Sequence, residues 1–262
     1  LFALGIVGEA SGAELAELYS AKAIVTGQSE SNRQSGFRDC LERVLVKVSG
    51  DQRLARRPEL GSLKREADRL VQSYSYRDRL EGIPIHDEQG THDRPHDLTC
   101  NYDPVAIDGV LAGLGSHPWL GDRPSLAVFL GVERGGQTFL LADDDKNNAA
   151  MREAFANAAQ PMVMRVTFPA TVQLRAANLP EDLLQADQGT LEHLTDAAGA
   201  EGALSGTLIW SDADRGWVAT WRLADKGGRA YRWQVHGVSF DEAFRVAIRG
   251  SAQILSGNGA PD

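Results

Sequence analysis

Half of the chain's six histidines fall in one stretch, His86-Asp87-Glu88-Gln89-Gly90-Thr91-His92-Asp93-Arg94-Pro95-His96-Asp97. Imidazole nitrogens beside carboxylate oxygens suit a divalent metal such as zinc, and His86, His92, His96 and Asp93 are the ligands this stretch offers. The histidine spacing follows no fixed ligand pattern. In a hairpin loop the three rings need not converge, so the same residues also read as a solvated loop held by Asp/Arg pairs and Asx-turns. Aromatic side chains form a second concentration: Trp210, Trp217, Trp221, Tyr231 and Trp233. Alternating aromatics make core or cross-strand pairs. On an uncovered face, Trp217, Trp221, Trp233 and Tyr231 would instead form a patch for a protein partner.

Other chemistries find little footing. Asp143-Asp144-Asp145 lacks the alternating oxygens, central Gly and closing Glu of a calcium loop, and reads as helix capping. Gly131, Gly135 and Gly136 make neither G-x-G-x-x-G nor a GK[ST] phosphate loop, and no G-x-S-x-G nucleophile turn is present. The sequence therefore points to no catalytic residue and no cofactor. The two cysteines, Cys40 and Cys100, permit one disulfide or two buried thiols. Cys40 lies on the apolar stripe of a predicted helix, a poor setting for a nucleophile.

Across 262 residues, 42% are apolar and 24% charged, as in ordinary globular proteins, and the net charge of -9 disfavours nucleic acid as a partner. The opening LFALGIVGEASGA reads as the back half of a secretory signal, with small residues up to Ala13. An ordinary N-terminus is the alternative. No other stretch approaches the ~18 apolar residues of a membrane span.

These residues must be positioned by an α+β chain. A strand is expected over Leu18–Thr26 and a helix over Arg33–Val48, with Phe37, Cys40/Leu41, Val44/Leu45 and Val48 on one face. A second helix is expected over Leu60–Tyr74, then strands over Tyr76–Ile85 and Asp97–Tyr102 and a helix over Val105–Leu114. The unbroken apolar run Leu126–Val132 predicts a strand buried on both faces. Strands over Thr138–Ala142 and Met162–Phe168 flank a helix over Asn148–Ala159. A short helical stretch from Pro180 and a longer one from Gly189 to Ala198 follow. Gly202–Ser211, Trp217–Leu223 and Ala230–Val238 predict an antiparallel meander, and Phe240–Leu255 a closing helix. The predicted organisation is a signal remnant (1–13) and two small α/β sandwich-like domains (14–115 and 125–256). A Gly/Pro/Trp linker (116–124) joins them, with Trp119 as an anchor, and a disordered tail (257–262) follows.

Three stretches together resemble the bacterial domain-of-unknown-function 2066 family: FRDCLERVLVKVSGD (37–51), DLTCNYDPVAIDGVLAGLGSHPWLGDRPSLAVFLGVE (97–133), and GALSGTLIWSDADRGWVATWRL with the final helix (202–255). The His86–Asp97 loop is similar to that of alphaproteobacterial members. The resemblance implies an exported, periplasmic protein of the Gram-negative envelope, with no activity or catalytic residue to carry over. The second half is also similar to small α/β modules of periplasmic translocation-associated proteins and outer-membrane lipoprotein activators. The expected role is a non-enzymatic accessory protein with an envelope protein as partner. The alternative is a metal- or small-molecule-binding protein, or a hydrolase, using the His86–Asp97 loop.

Overall fold

A computed structural model describes residues 12–83, 93–180 and 182–261. The chain divides into two compact units: one of the residues up to Ser49 with Arg53–Pro118, the other of Gly50–Gln52 with Trp119–Asp262. Both mix helices and strands, so the class is α+β. The predicted signal segment falls almost wholly outside the described residues.

In the first unit, α1 (Gly12–Leu18) precedes β1 (Ser20–Thr26), where Ala21, Ala23 and Val25 point inward and alternate with exposed neighbours. α2 (Glu30–Ser49) buries Phe37, Cys40, Leu41, Val44, Leu45 and Val48 at three- and four-residue spacing. Gly36 lets this helix close on the sheet: a Cβ there would meet the side chains of Leu98 at 2.4 Å and Val25 at 2.7 Å. α3 (Pro58–Arg65), β2 (Val71–Asp78), β3 (Pro95–Tyr102) and α4 (Pro104–Gly113) follow. Asp103 caps α4 by accepting the Val105 N–H at 2.8 Å, and Pro104 pre-sets its first turn. The sheet is antiparallel throughout, in the order β1-β3-β2.

Two predictions are corrected here, one being the Tyr76–Ile85 strand, which is part of β2 and ends at Asp78. The predicted Leu60–Tyr74 helix ends at Arg65, and Val71–Tyr74 belongs to β2. Leu63, Ala67, Leu70 and Val71 share a helical spacing, but Val71, Tyr74 and Tyr76 favour a pleated surface, and pairing with β3 decides.

In the second unit the order is β5-β4-β7-β8-β9, with a two-residue β6 also against β4. β4 (Leu126–Arg134) runs parallel to β6 (Val166–Thr167) and β7 (Gly202–Ser211), and antiparallel to β5 (Gln137–Leu140). Leu126–Val132 is buried throughout, as the apolar run requires. β7, β8 (Gly216–Ala224) and β9 (Ala230–Val238) form the predicted meander. One face carries α5 (Ala149–Ala159) and α8 (Phe240–Leu255), where Phe155, Phe244 and Trp221 meet. The other carries α6 (Thr171–Ala176) and α7 (Gln188–Ala197) over Ala127, Phe129 and Leu183.

Most of the predicted Met162–Phe168 strand is absent. Gln160–Met162 is a 3-10 turn and Val163 is left-handed (φ 54°), so only Val166 and Thr167 pair. Within the predicted disordered tail, Gln253 Nε2 donates to the Ala260 carbonyl at 2.6 Å and Pro261 is buried.

Candidate functional site

The parity of the first unit's ladders fixes which backbone groups face outward. Tyr102 N–H donates to Tyr19 O and Gly27 N–H to Arg94 O, so odd-numbered residues of β1 bond inward to β3. Ser20, Lys22, Ile24 and Thr26 therefore turn their amides outward. Three of these carbonyls are covered by the next helix: Asn32 donates to Thr26 O, Arg43 to Lys22 O and Lys47 to Ser20 O. Side chains of α2 thus cap the β1 edge, a protection against stray strand pairing.

The opposite edge differs. Arg79 N–H bonds to Pro95 O, so Ser73, Ser75 and Arg77 bond inward to β3 while Tyr74, Tyr76 and Asp78 turn their amides outward. Among the described residues nothing bonds to the outward amides of Tyr74 and Tyr76. Their rings lie on the α2 side, opposite Cys100 and Leu98. They extend a row of edge-to-face contacts: Phe37–Tyr74 at 5.3 Å, Tyr74–Tyr76 at 5.8 Å and Tyr76–His96 at 6.0 Å. The Arg33 guanidinium lies 5.7 Å from the Tyr74 ring centre. Tyr74 is 46% exposed, and the buried Tyr76 hydroxyl oxygen has no hydrogen-bond partner.

On the other face, Arg77 donates to Asp97 Oδ2 at 2.6 Å, and Arg79 stands 3.5 Å from Oδ1. The hydrogen bond to Asp97, then its charge, pushes the Arg77 guanidinium above its ordinary value. This is a backbone-presenting edge with aromatic rings on one side and a guanidinium–carboxylate pair on the other. It can hold an extended peptide.

Of the predicted metal set, His86 and His92 lie outside the described residues. Asp93 lies against Gly27, whose left-handed backbone (φ +76°) admits it: a Cβ there would meet the Asp93 carboxyl carbon at 2.5 Å. His96 is already engaged. Its Nδ1 donates to Arg94 O at 2.8 Å, and the lone pair of its Nε2 is taken up by the Gln28 Nε2 donor at 3.1 Å. Among the described residues no group of three His, Cys, Asp or Glu side chains is placed to hold a metal.

The tryptophan patch is corrected. Trp217, Trp221 and Trp233 are buried, and only Tyr231 is partly exposed. Their alternation does put the indoles on one face, but α5 and α8 cover it. Trp221 stacks edge-on against Phe155 at 5.8 Å, and the Trp233 Nε1–H donates to Val246 O at 3.3 Å. These rings are core. The Arg123 guanidinium lies 4.2 Å from the centre of the Trp119 ring.

Asp144 and Asp145 act as caps. Asp144 Oδ1 accepts from the Thr171 N–H at 2.8 Å and hydroxyl at 2.7 Å, opening α6, and Asp145 accepts from Asn147 N–H at 2.9 Å. These bonds hold both carboxyls below their ordinary value, led by the Thr171 hydroxyl for Asp144 and by Asn148 for Asp145. Cys40 Sγ is bonded to Cys100 Sγ, with the Cα atoms 6.3 Å apart. Burial raises the Tyr102 phenol above its ordinary value, and its hydroxyl has no partner, which marks a core ring.

The sequence places Phe37 on a helix stripe and Tyr76 in a strand. It does not show the edge itself, because Tyr74 falls at the end of the predicted helix.

Residues 12–120 match a family model described as a domain of unknown function (DUF8605). That family is not the one whose patterns the sequence resembles. The matched stretch carries α1 to α4 and β1 to β3, and so includes both the capped and the uncapped edge. No curated protein matches the chain. Among the described residues no helix is long and apolar enough to cross a membrane.

Proposed function

We propose that this is a non-enzymatic accessory protein of the Gram-negative periplasm, which associates with another envelope protein by adding a strand to the β2 edge. The observation that carries this reading is the pair of outward amides at Tyr74 and Tyr76, unpaired among the described residues and flanked by the Phe37–Tyr74–Tyr76–His96 row. Strand addition gains affinity from main-chain hydrogen bonds and selectivity from alternate side-chain contacts, and this edge offers both. The envelope placement draws its support from the apolar opening, the family resemblance and the Cys40–Cys100 bond, which suits an oxidising compartment.

The test is a photo-crosslinking amino acid placed at Gln72 in cells, with Lys22 on the capped edge as the control. An adduct with a distinct envelope protein at Gln72, and none at Lys22, is the expected result. Equal labelling at both positions, or labelling at neither, would overturn the reading.

A further inference from the structure

β2 complements itself, and this follows from its parity and its charges. Its centre is Ser73-Tyr74-Ser75-Tyr76, with no Lys, Pro or charged residue before Arg77 to discourage pairing. An antiparallel partner must set outward residues against outward residues. Centring two copies of β2 on Ser75 satisfies that rule. Tyr74 then stands opposite the partner's Tyr76, Ser73 opposite the partner's Arg77, and Ser75 opposite the partner's Ser75, while Gln72 lies at the register irregularity between Val71 and Ser73. No like charges oppose each other in this register. Sliding the strands until Arg77 met the partner's Arg77, or Asp78 the partner's Asp78, would oppose like charges at the centre. The centred register also joins the two aromatic rows on the α2 side into one.

We infer that β2 pairs with β2 of a second copy of this chain, antiparallel and centred on Ser75, to give a two-fold dimer with a continuous six-stranded sheet. The inference rests on the reading of β2 as a docking edge and names its occupant when no other strand is present. The contrast with β1 supports a second copy over indiscriminate pairing. Side chains of α2 occupy three carbonyls of β1, so among the described residues β2 is the edge whose outward carbonyls and amides both lack a partner, and one such edge closes a dimer where two would extend a filament. An envelope partner would have to displace one copy.

Ser75 provides the test. It bonds inward to β3, so Ser75 and the partner's Ser75 would form a non-hydrogen-bonded pair, with Cα atoms about 4.5 Å apart, within the range a disulfide spans. The full chain carrying Ser75→Cys, oxidised mildly, is compared with Ser73→Cys, whose opposite residue is Arg77, and with Lys22→Cys on β1. The native cysteines are bonded to each other and do not compete. The expected result is a covalent dimer for Ser75→Cys in several-fold excess over both controls, and wild-type protein sedimenting at twice the chain mass. Tyr76→Pro, which deletes an outward N–H but no bond to β3, should sediment as monomer with an unchanged far-ultraviolet spectrum.

Wild-type protein that stays monomeric at its solubility limit would overturn the inference, as would equal cross-linking by Ser73→Cys or Lys22→Cys. A monomer whose Gln72 still labels an envelope protein would remove the second copy and leave the docking edge standing. A monomer that labels nothing would remove both.

Discussion

Arg43 of α2 donates to the backbone carbonyl of Lys22 in β1, the strand that precedes its own helix. One turn later Lys47 does the same for Ser20, so two cations on one helix face close two acceptors on one strand edge. Replacing both with Ala reopens those acceptors. The double variant Arg43→Ala/Lys47→Ala should form species larger than a dimer, because the sheet then offers two edges instead of one. Multi-angle light scattering across a concentration series reads this directly. A mass distribution equal to wild type would show that the capping bonds do not govern association.

The Cys40–Cys100 bond closes a loop with a sequence separation of 60 and ties α2 to the central strand of its sheet. In the chain-entropy account, a loop of that length stabilises by about 4 kcal/mol. The reduced protein, or Cys40→Ser/Cys100→Ser, should unfold at a markedly lower urea midpoint. An unchanged midpoint would show that the cross-link restrains nothing in the unfolded chain that matters to folding.

Acid should weaken the second unit through Asp144. Its carboxyl is held below the ordinary value of 3.8 by the Thr171 hydroxyl and N–H at the start of α6. A depressed carboxylate contributes stability above its unfolded value, and that contribution is lost as pH falls through the folded value. Asp144→Ala should therefore lower Tm at neutral pH and converge with wild type as pH drops below about 3.8. Parallel Tm curves from pH 7 to pH 3 would contradict the assignment.

Much of the fold is legible wherever local pattern and tertiary environment agree. Leu126–Val132 reads as a strand buried on both faces and is one. The final helix carries Ser239 at its cap, Asp241 and Glu242 in its first turn, and Phe244, Ala247, Ile248 and Ile254 on its buried side. The failures are long-range. α6 takes its local cap only from Gln173, which accepts the Ala170 N–H, and the rest from Asp144, far back in the chain. Val71–Tyr74 fits a helical stripe until β3 supplies a ladder. The fit of Gly36 against Leu98 and Val25, and of Gly250 against the Trp233 indole, depends on partners that no local window contains. The tryptophan alternation gave the correct face and left open what covers it. The candidate edge was hidden for a further reason: it is defined by which amides lack a partner, and that requires every strand to be paired first.

The parallel ladder between β4 and β7 sets an order of events during synthesis. Leu126 pairs with Gly202 and Glu133 with Ile209, so β4 meets its longest partner only after β5, α5, β6, α6 and α7 have been made. Contacts of such separation are slow to form. The elements α1 to α4 and β1 to β3 close their own sheet without anything beyond α4, whereas the apolar β4 waits with one side open. That interval, rather than the finished fold, is when the exposed side of β4 invites stray association.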